Sequence, residues 1–276
     1  MRLLKFTKAQ GAGNDFVIVD SSSGEPAGFF KKIAPQVCDR KYGIGADGIL
    51  FLEKSKRSHV RMRVFNADGS EAQMCGNGAR CAAFYYSKKT KLKTFDIQTK
   101  AGLLSALVTG DRVKIKMTDP CDLKLGMKVY ALGKEHTLDY VNTGVPHAVI
   151  EVDDLKKIPV NEIGRQIRHH RLFSPTGTNV DFIRVKDAAH VSVRTYERGV
   201  EDETLACGTG SVASAIIAVL NHRAHALEKN ASAHKVFVTT QSGEALGVYF
   251  KLSKYNVSDV WLEGNAKIVF KGEFYV

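Results

Sequence analysis

No run in this 276-residue chain approaches the ~20 apolar residues needed to span a bilayer. The longest, around Ala213 to Leu220, stops far short. The amino terminus, Met1-Arg-Leu-Leu-Lys-Phe-Thr-Lys, returns to polar residues before an export signal could form. Five cysteines occur without Cys-x-x-Cys spacing or adjacent histidine pairs, which argues against both a disulfide framework and a zinc site. No disorder signature or low-complexity linker is present, and 44% hydrophobic with 25% charged residues is ordinary for a folded soluble chain. These absences point to a reducing, cytoplasmic setting with no metal and no membrane partner. The net charge of +11 is densest over 88–93 and 165–171. With no nucleic-acid motif or aromatic–basic interleaving, it reads as a solvated basic face and not as a nucleic-acid site.

What the chain does have is a repeated cysteine turn. Met74-Cys75-Gly76-Asn77-Gly78 and Ala206-Cys207-Gly208-Thr209-Gly210 each open into an alanine-rich helical stretch, Gly78 to Tyr86 and Ser211 to Leu220. Arg63-Val-Phe-Asn66 precedes the first and Arg194-Thr-Tyr-Glu197 the second, at an offset of 131 residues that becomes 132 at the cysteines. Gly13-Asn14-Asp15-Phe16 and Thr178-Asn179-Val180-Asp181-Phe182 look like a further repeated pair, a polar turn running into a strand. One supersecondary unit used twice, with a one-residue slip, predicts two pseudo-symmetric lobes with facing cysteines.

Short alternating or β-branched runs begin near residues 16, 49, 60, 95, 103, 113, 140, 148, 182, 191, 235, 245, 260 and 268. Helical patterns over Gly28 to Asp39 and Asn161 to His169 join the two after the cysteines. The fold class is therefore α+β, two pseudo-symmetric lobes, each a curved sheet or barrel, with the active site in the cleft between them. The change of lobe falls near Thr118-Asp119-Pro120, giving 1–119 and 120–267.

A thiol at a helix N-terminus is favoured as the thiolate, and the amides beside it form an anion site. Cys38, Cys81 and Cys121 read as ordinary buried small residues; Cys75 and Cys207, with duplicated glycine contexts, read as reactive. Two acid–base groups can take a proton from one face of an amino acid's α-carbon and return one to the other, which inverts the centre. The pair titrates together, one as thiolate and one as thiol. No pyridoxal-type lysine motif or other cofactor is called for. Two other classes are compatible with the cysteines alone: a thiol redox protein in which they form a disulfide, and a non-catalytic amino-acid-binding protein.

Gly11-Ala-Gly-Asn-Asp-Phe16, Phe65-Asn-Ala-Asp-Gly-Ser-Glu71, the two cysteine turns, Gly177-Thr-Asn179 and Tyr196-Glu-Arg-Gly199 together resemble the diaminopimelate epimerases, in order from residue 11 to about 220. The resemblance implies pyridoxal-independent interconversion of LL- and meso-2,6-diaminopimelate, on the route to lysine and, in bacteria, peptidoglycan. It also implies a homodimer, and two lobes that each wrap a sheet around a central helix, with 268–276 returning to the first. By motif, Cys75 and Cys207 are the acid–base pair, with Cys75 acting first on the LL isomer and Cys207 on the meso. Gly76-Asn77 and Gly208-Thr209 supply amides to the reacting carboxylate, and Asn14, Asn66, Asn179, Glu197 and Arg198 hold the rest of the substrate. Asn14 and Asn66 could instead serve a turn or cap, and Glu197 and Arg198 a surface ion pair. His147, in the proline-histidine segment, reads equally as a substrate contact or a structural histidine. Many relatives carry asparagine at Val145 and glutamine at Gly48; Asn142 is a candidate replacement by proximity. The proline and hydroxyproline racemases resemble the same pattern, but usually have histidine where this chain has Asn77.

Overall fold

The computed structural model describes residues 2–20, 26–222 and 232–276. The chain divides into two compact units, Met1–Lys116 with Gly264–Val276, and Met117–Glu263. The first contains β1 (Leu3–Gly11), β2 (Asn14–Asp20), α1 (Ala27–Cys38), β3 (Gly48–Glu53), β4 (Val60–Asn66), β5 (Glu71–Ala72), α2 (Gly76–Thr90), β6 (Thr94–Thr99), β7 (Gly102–Thr109) and β8 (Arg112–Lys116). The second contains β9 (Cys121–Ala131), β10 (Lys134–Asn142), β11 (Pro146–Glu151), α3 (Val160–Arg168), β12 (Asn179–Asp187), β13 (His190–Glu197), β14 (Asp202–Thr204), α4 (Gly208–His222), β15 (Ser232–Thr239) and β16 (Ala245–Ser253). From there β17 (Asn256–Asn265) leads back to the first unit, which ends with β18 (Lys267–Tyr275).

Both units use one plan. In the first, β18, β1 and β2 are antiparallel neighbours, β2 and β3 run parallel, β4 is antiparallel to β3, and β5 folds back on β4. A parallel step then joins β4 to β6, followed by the β7 and β8 hairpins. In the second, β9, β10 and β11 are antiparallel neighbours, β11 and β12 run parallel, and β13 and β14 follow. The parallel step is β13 to β15, followed by β16 and β17. Among the described residues no ladder joins β8 to β18, so the first sheet is open rather than a closed barrel.

Register repeats as well as order. Phe16 pairs with Gly48 as His147 pairs with Asn179, and Leu50 pairs with Val64 as Asp181 pairs with Thr195, an offset of 131 residues throughout. The slip lies in the following turn: the Asn66 amide donates to the Ser70 carbonyl, whereas Glu197 pairs with Asp202, one residue farther on. The same register corrects the earlier pairing of Asn14 with Asn179. Asn14 opens β2, whose counterpart is β11, while Asn179 opens β12, whose counterpart is β3. Hydrogen-bond register places Val145 at the equivalent of Asn14, and Gly48 at the equivalent of Asn179. A polar turn before a strand is a common local pattern, so its recurrence need not mark a repeat.

The core explains why the middle of β2, nearly all of β3 and the first five residues of β12 are buried: helices cover both faces there. Alternate residues point opposite ways along a strand. Ile49 and Phe51 thus pack with Phe30, Ile33 and Val37 of α1, while Leu50 meets α2 at Gly78. In β12, Val180 and Phe182 pack with Val160, Ile163 and Ile167 of α3, while Asp181 meets α4 at Gly210. α4 is apolar on every side and is buried from Gly210 to Val219, as an all-round apolar helix must be. α2 is buried from Asn77 to Phe84, mostly through small residues but with the Arg80 side chain fully enclosed as well, and ends at Lys91 in a left-handed cap.

Four strands were not apparent in the sequence. β5 and β14 are too short to show a period, and most of β9 is exposed on both faces of its hairpin with β10. β1 begins with only a brief alternation before its burial becomes continuous. Cys121, read as buried, is exposed at the start of β9, whereas Cys38 and Cys81 are buried. Among the described residues no helix is long and apolar enough to cross a membrane.

Replacing a helical glycine with alanine ordinarily stabilises by up to about 1 kcal/mol. A Cβ on Gly164 in α3, however, would lie 2.5 Å from the Tyr196 Cβ. Gly164→Ala should therefore destabilise by about 1–3 kcal/mol in a denaturant titration, whereas Gly28→Ala, whose Cβ meets nothing within 4 Å, should be neutral or slightly stabilising.

Candidate active site

Each cysteine caps its helix. The turn before Cys75 is fixed by a two-pronged pair in which Arg63 Nε and Nη2 donate to Glu71 at 2.7 and 2.9 Å. Arg194 and Glu203 repeat it at 2.7 and 2.6 Å. Chain direction into both helices is thus clamped by charge-assisted bonds of matching geometry. Cys75, half-buried, has extended backbone (φ −141°, ψ 119°), and its Sγ accepts the Gly78 amide at 3.3 Å. Its carbonyl accepts the Ala79 amide at 2.7 Å, as the Cys207 carbonyl accepts that of Ser211 at 2.9 Å. The Cys207 sulfur likewise receives the Gly210 amide.

Both caps are built around a glycine: a Cβ on Gly78 would lie 2.9 Å from Leu50 Cδ2, and one on Gly210 would lie 2.4 Å from Asp181 Oδ1. Each helix N-terminus is pressed against a strand, and a side chain there would push the cap away from the sulfur.

In the first unit the residues beyond the cap form one polar network. Asn77 is buried; its amide donates to Asn14 Oδ1, and its Oδ1 accepts from Arg80 Nη2 at 2.7 Å. Asn14 Nδ2 donates to Asp47 at 3.0 Å. Arg40 bridges Asp47 and Asp15, both at 2.8 Å, and buried Lys8 reaches Asp15 at 2.7 Å. Burial raises the Asp15 pKa, but its hydrogen bonds to Arg40 and Lys8 and their charges outweigh this and pull it down to about 2. Asn66 stands apart in its own turn, donating to Ser70 Oγ at 2.9 Å, the turn role allowed for it above.

In the second unit Cys207 Sγ lies 3.4 Å from Thr209 Oγ1, and Thr209 Oγ1 lies 2.9 Å from His147 Nε2. His147 Nδ1 is 2.7 Å from Asp181 Oδ2, and Asp181 Oδ1 accepts the Thr195 hydroxyl at 2.7 Å. Asn179 spends its amide group on backbone, donating to the Pro146 carbonyl and accepting the Arg198 amide, both at 2.8 Å. It thereby fixes the position of Arg198, whose guanidinium donates to the Thr176 carbonyl at 3.3 Å. Glu197 is raised above the usual carboxylate range, chiefly by burial, and its electrostatic neighbours include His147 and Asp181 rather than Arg198. The surface-pair alternative for Glu197 and Arg198 is therefore not what forms. Asn142 turns inward on its own loop, accepting the Gly144 amide at 3.0 Å.

The thiolate expected at Cys207 is not what its surroundings favour. Burial pushes this thiol well above its usual value, Glu197 and Asp181 push the same way, and the bonds from Thr209 and Gly210 only oppose them. The magnitudes agree: a helix N-terminus contributes at most ~2 kcal/mol, whereas full burial can move a pKa by about 3–5 units. Asp47, Arg40, Lys8, Asp181 and Thr195 join the two networks without having stood out in the sequence as site residues. Asp181 had a visible signal, a carboxylate set between Val180 and Phe182, two residues after Asn179 on the same face of the strand.

A sequence profile described as diaminopimelate epimerase matches residues 6–123 and 139–247. Among curated relatives, the diaminopimelate epimerase of Aquifex aeolicus is 38% identical over 98% of this chain and 97% of its own length. That of Methanocella arvoryzae is 39% identical over 100% and 98%. Among solved structures, a PhzF-family phenazine biosynthesis protein of Bacillus anthracis superposes with a TM-score of 0.76 over the whole of both chains at 18% identity. A hydroxyproline epimerase from Agrobacterium vitis does so at 0.69, covering 99% of this chain and 91% of its own, at 14% identity. These two structures share the fold.

Iodoacetamide should alkylate Cys75 roughly tenfold faster than Cys207 near neutral pH, since one pKa unit alone is a tenfold change in thiolate; peptide mass spectrometry reads both, and equal rates would contradict the burial argument. A lowered carboxylate stabilises the fold above its unfolded pKa, and that stabilisation disappears as the pH falls through the folded value. Asp15→Asn should therefore cost about 1–2 kcal/mol at pH 7, allowing for solvent screening. In denaturant titrations the difference should close as the pH falls from about 4 to about 2.

Proposed function

The chain belongs to the diaminopimelate epimerase family, and we propose that it interconverts LL- and meso-2,6-diaminopimelate without a cofactor, using Cys75 and Cys207 as its two acid–base groups. The observation that carries this reading is the duplicated cap: at equivalent places in two equivalent units, a sulfur accepts the amide of a glycine in the first turn of a buried helix.

In the reaction a thiolate takes the α-hydrogen, so that an S–H bond forms while the C–H electron pair remains on carbon and spreads into the carboxylate. The other thiol gives its proton to the opposite face, and the cysteines have then exchanged protonation states. The backbone amides of Gly76, Asn77, Gly208 and Thr209, at the positive ends of α2 and α4, are suited to the growing carboxylate charge. The raised Cys207 pKa supports assigning it the thiol in the resting state and Cys75 the thiolate, hence Cys75 as the base toward the LL isomer.

The distal head falls to Asn14, Asn66, Asn179, Glu197 and Arg198. Asn179 acts there through Arg198, whose backbone it holds, and His147 acts through Thr209 rather than on substrate. The same reading carries a homodimer working in a reducing cytoplasm on a free amino acid, in lysine biosynthesis, with no nucleic-acid or membrane partner. It is supported by the family relationship.

Reduced protein incubated with LL-diaminopimelate in heavy water should form the meso isomer with deuterium at one α-carbon. Cys75→Ala and Cys207→Ala should each lower epimerisation roughly a hundredfold or more. Persistent turnover in either variant would sink the two-base assignment, and turnover of L-proline in place of diaminopimelate would move the substrate to the racemase class.

A further inference from the structure

Three polar side chains lie behind Cys207 at places where the first unit is apolar. Register equates His147 with Phe16, Asp181 with Leu50, and Thr195 with Val64. All six are buried. The fold is thus built once with phenylalanine, leucine and valine at these places, and packing does not require a carboxylate, an imidazole and a hydroxyl. Burying ionisable groups costs several kcal/mol unless they are fully hydrogen-bonded. Their presence behind one cysteine alone calls for a role at that cysteine.

The direction of each hydrogen bond follows from donor inventory. An ionised carboxylate only accepts, so Asp181 takes the Thr195 hydroxyl on one oxygen and His147 Nδ1–H on the other. A neutral imidazole carries one hydrogen, which leaves Nε2 as an acceptor for the Thr209 hydroxyl. Thr209 Oγ1 has then given its only hydrogen away and turns a lone pair toward the Cys207 S–H. Its main chain is anchored as well, since Thr143 Oγ1 donates to the Thr209 carbonyl at 3.0 Å. Every bond points from sulfur toward carboxylate.

We propose that the Thr209 hydroxyl and His147 form a proton relay serving Cys207 alone, with Asp181 and Thr195 as positioning residues that fix the imidazole tautomer. It rests on the two-base reading and adds to it a place for the Cys207 proton. When Cys207 must act as a base, its proton passes to Thr209 Oγ1 as the threonine proton passes to His147 Nε2. This leaves a thiolate and an imidazolium beside the Asp181 carboxylate, with no net change of charge; the reverse transfers restore the thiol. The charged groups facing the sulfur are Glu197 from β13 and Asp181 from β12, with the His147 imidazole from β11 as the acceptor. Both carboxylates disfavour an isolated thiolate, which makes an internal acceptor for the proton the more useful.

The test uses Cys75→Ala, in which Cys207 is the remaining acid–base group, and follows exchange of the α-hydrogen of meso-diaminopimelate in heavy water. Adding Thr209→Val should slow exchange roughly tenfold or more, and Thr209→Ser should keep it within about threefold of the parent. Asp181→Asn should slow it as well. A second readout needs no substrate: NMR of isotope-labelled cysteine should show Cys207 titrating higher in Thr209→Val than in wild type, and unchanged in Thr209→Ser. Equal exchange and equal titration in Thr209→Val and its parent would overturn the relay. A titration difference without exchange in any variant would uphold the coupling of Thr209 to Cys207 while removing the epimerase reading.

Discussion

The fold turns on the approach of each cysteine-capped helix to the strand beneath it. Gly78 lies against Leu50 and Gly210 against Asp181, with no room for a Cβ at either place. Because the helix is pressed down at its third residue, the amide of that residue points at the sulfur three positions earlier. A glycine inside a helix forfeits about 1 kcal/mol relative to alanine, and here that loss is what sets the cap. The requirement passes down the chain. A helix buried on all sides needs strands on all sides, those strands need apolar residues on both faces, and α1 and α3 must then cover the faces that α2 and α4 leave open.

Within that shared frame the two units differ in what they place under the helix. The first leaves Leu50 in an apolar setting and gathers its polar groups to one side, in a network from Lys8 to Asn77. The second puts Asp181 under the helix and threads hydrogen bonds through His147 and Thr209 to the sulfur. Cys75 is half-buried and Cys207 buried, so the thiols are chemically unequal although their caps match. Two equal thiols would divide a single proton evenly. Unequal ones hold a defined resting state, which suits a reaction that begins with one thiolate and one thiol.

The repeat was legible from the matched Arg63/Arg194 and Cys75/Cys207 settings because clamping a turn and capping a helix demand particular residue types at fixed spacing. Helices were legible for the same reason, and most strands from their β-branched runs. The polar contacts under the caps were not. Asp181, Thr195 and Lys8 are brought to their partners by strand register, and register depends on ladders that close over scores of residues. Asn14 and Asn179 show the limit from the other side: their neighbourhoods look alike as sequence, yet β2 and β12 occupy different places in the plan. Burial was the other hidden term, since the sequence shows the helix N-terminus beside Cys207 but not the desolvation that outweighs it.

Correct register also changes what the two departures from the family pattern mean. Val145 stands where the first unit has Asn14, and Gly48 where the second has Asn179. Of each equivalent pair this chain keeps one amide side chain, Asn14 in the first unit and Asn179 in the second. Asn142, the candidate replacement for Val145, spends its carbonyl oxygen on the Gly144 amide. Gly48 is not an open place awaiting a longer residue, since a Cβ there would lie 2.6 Å from the Phe65 carbonyl oxygen, a backbone atom of the paired strand β4. Any side chain at 48 must first move the strand that leads into Asn66 and the Cys75 turn. The absence at Gly48 is thus built into the backbone, whereas that at Val145 lies in the side chain alone.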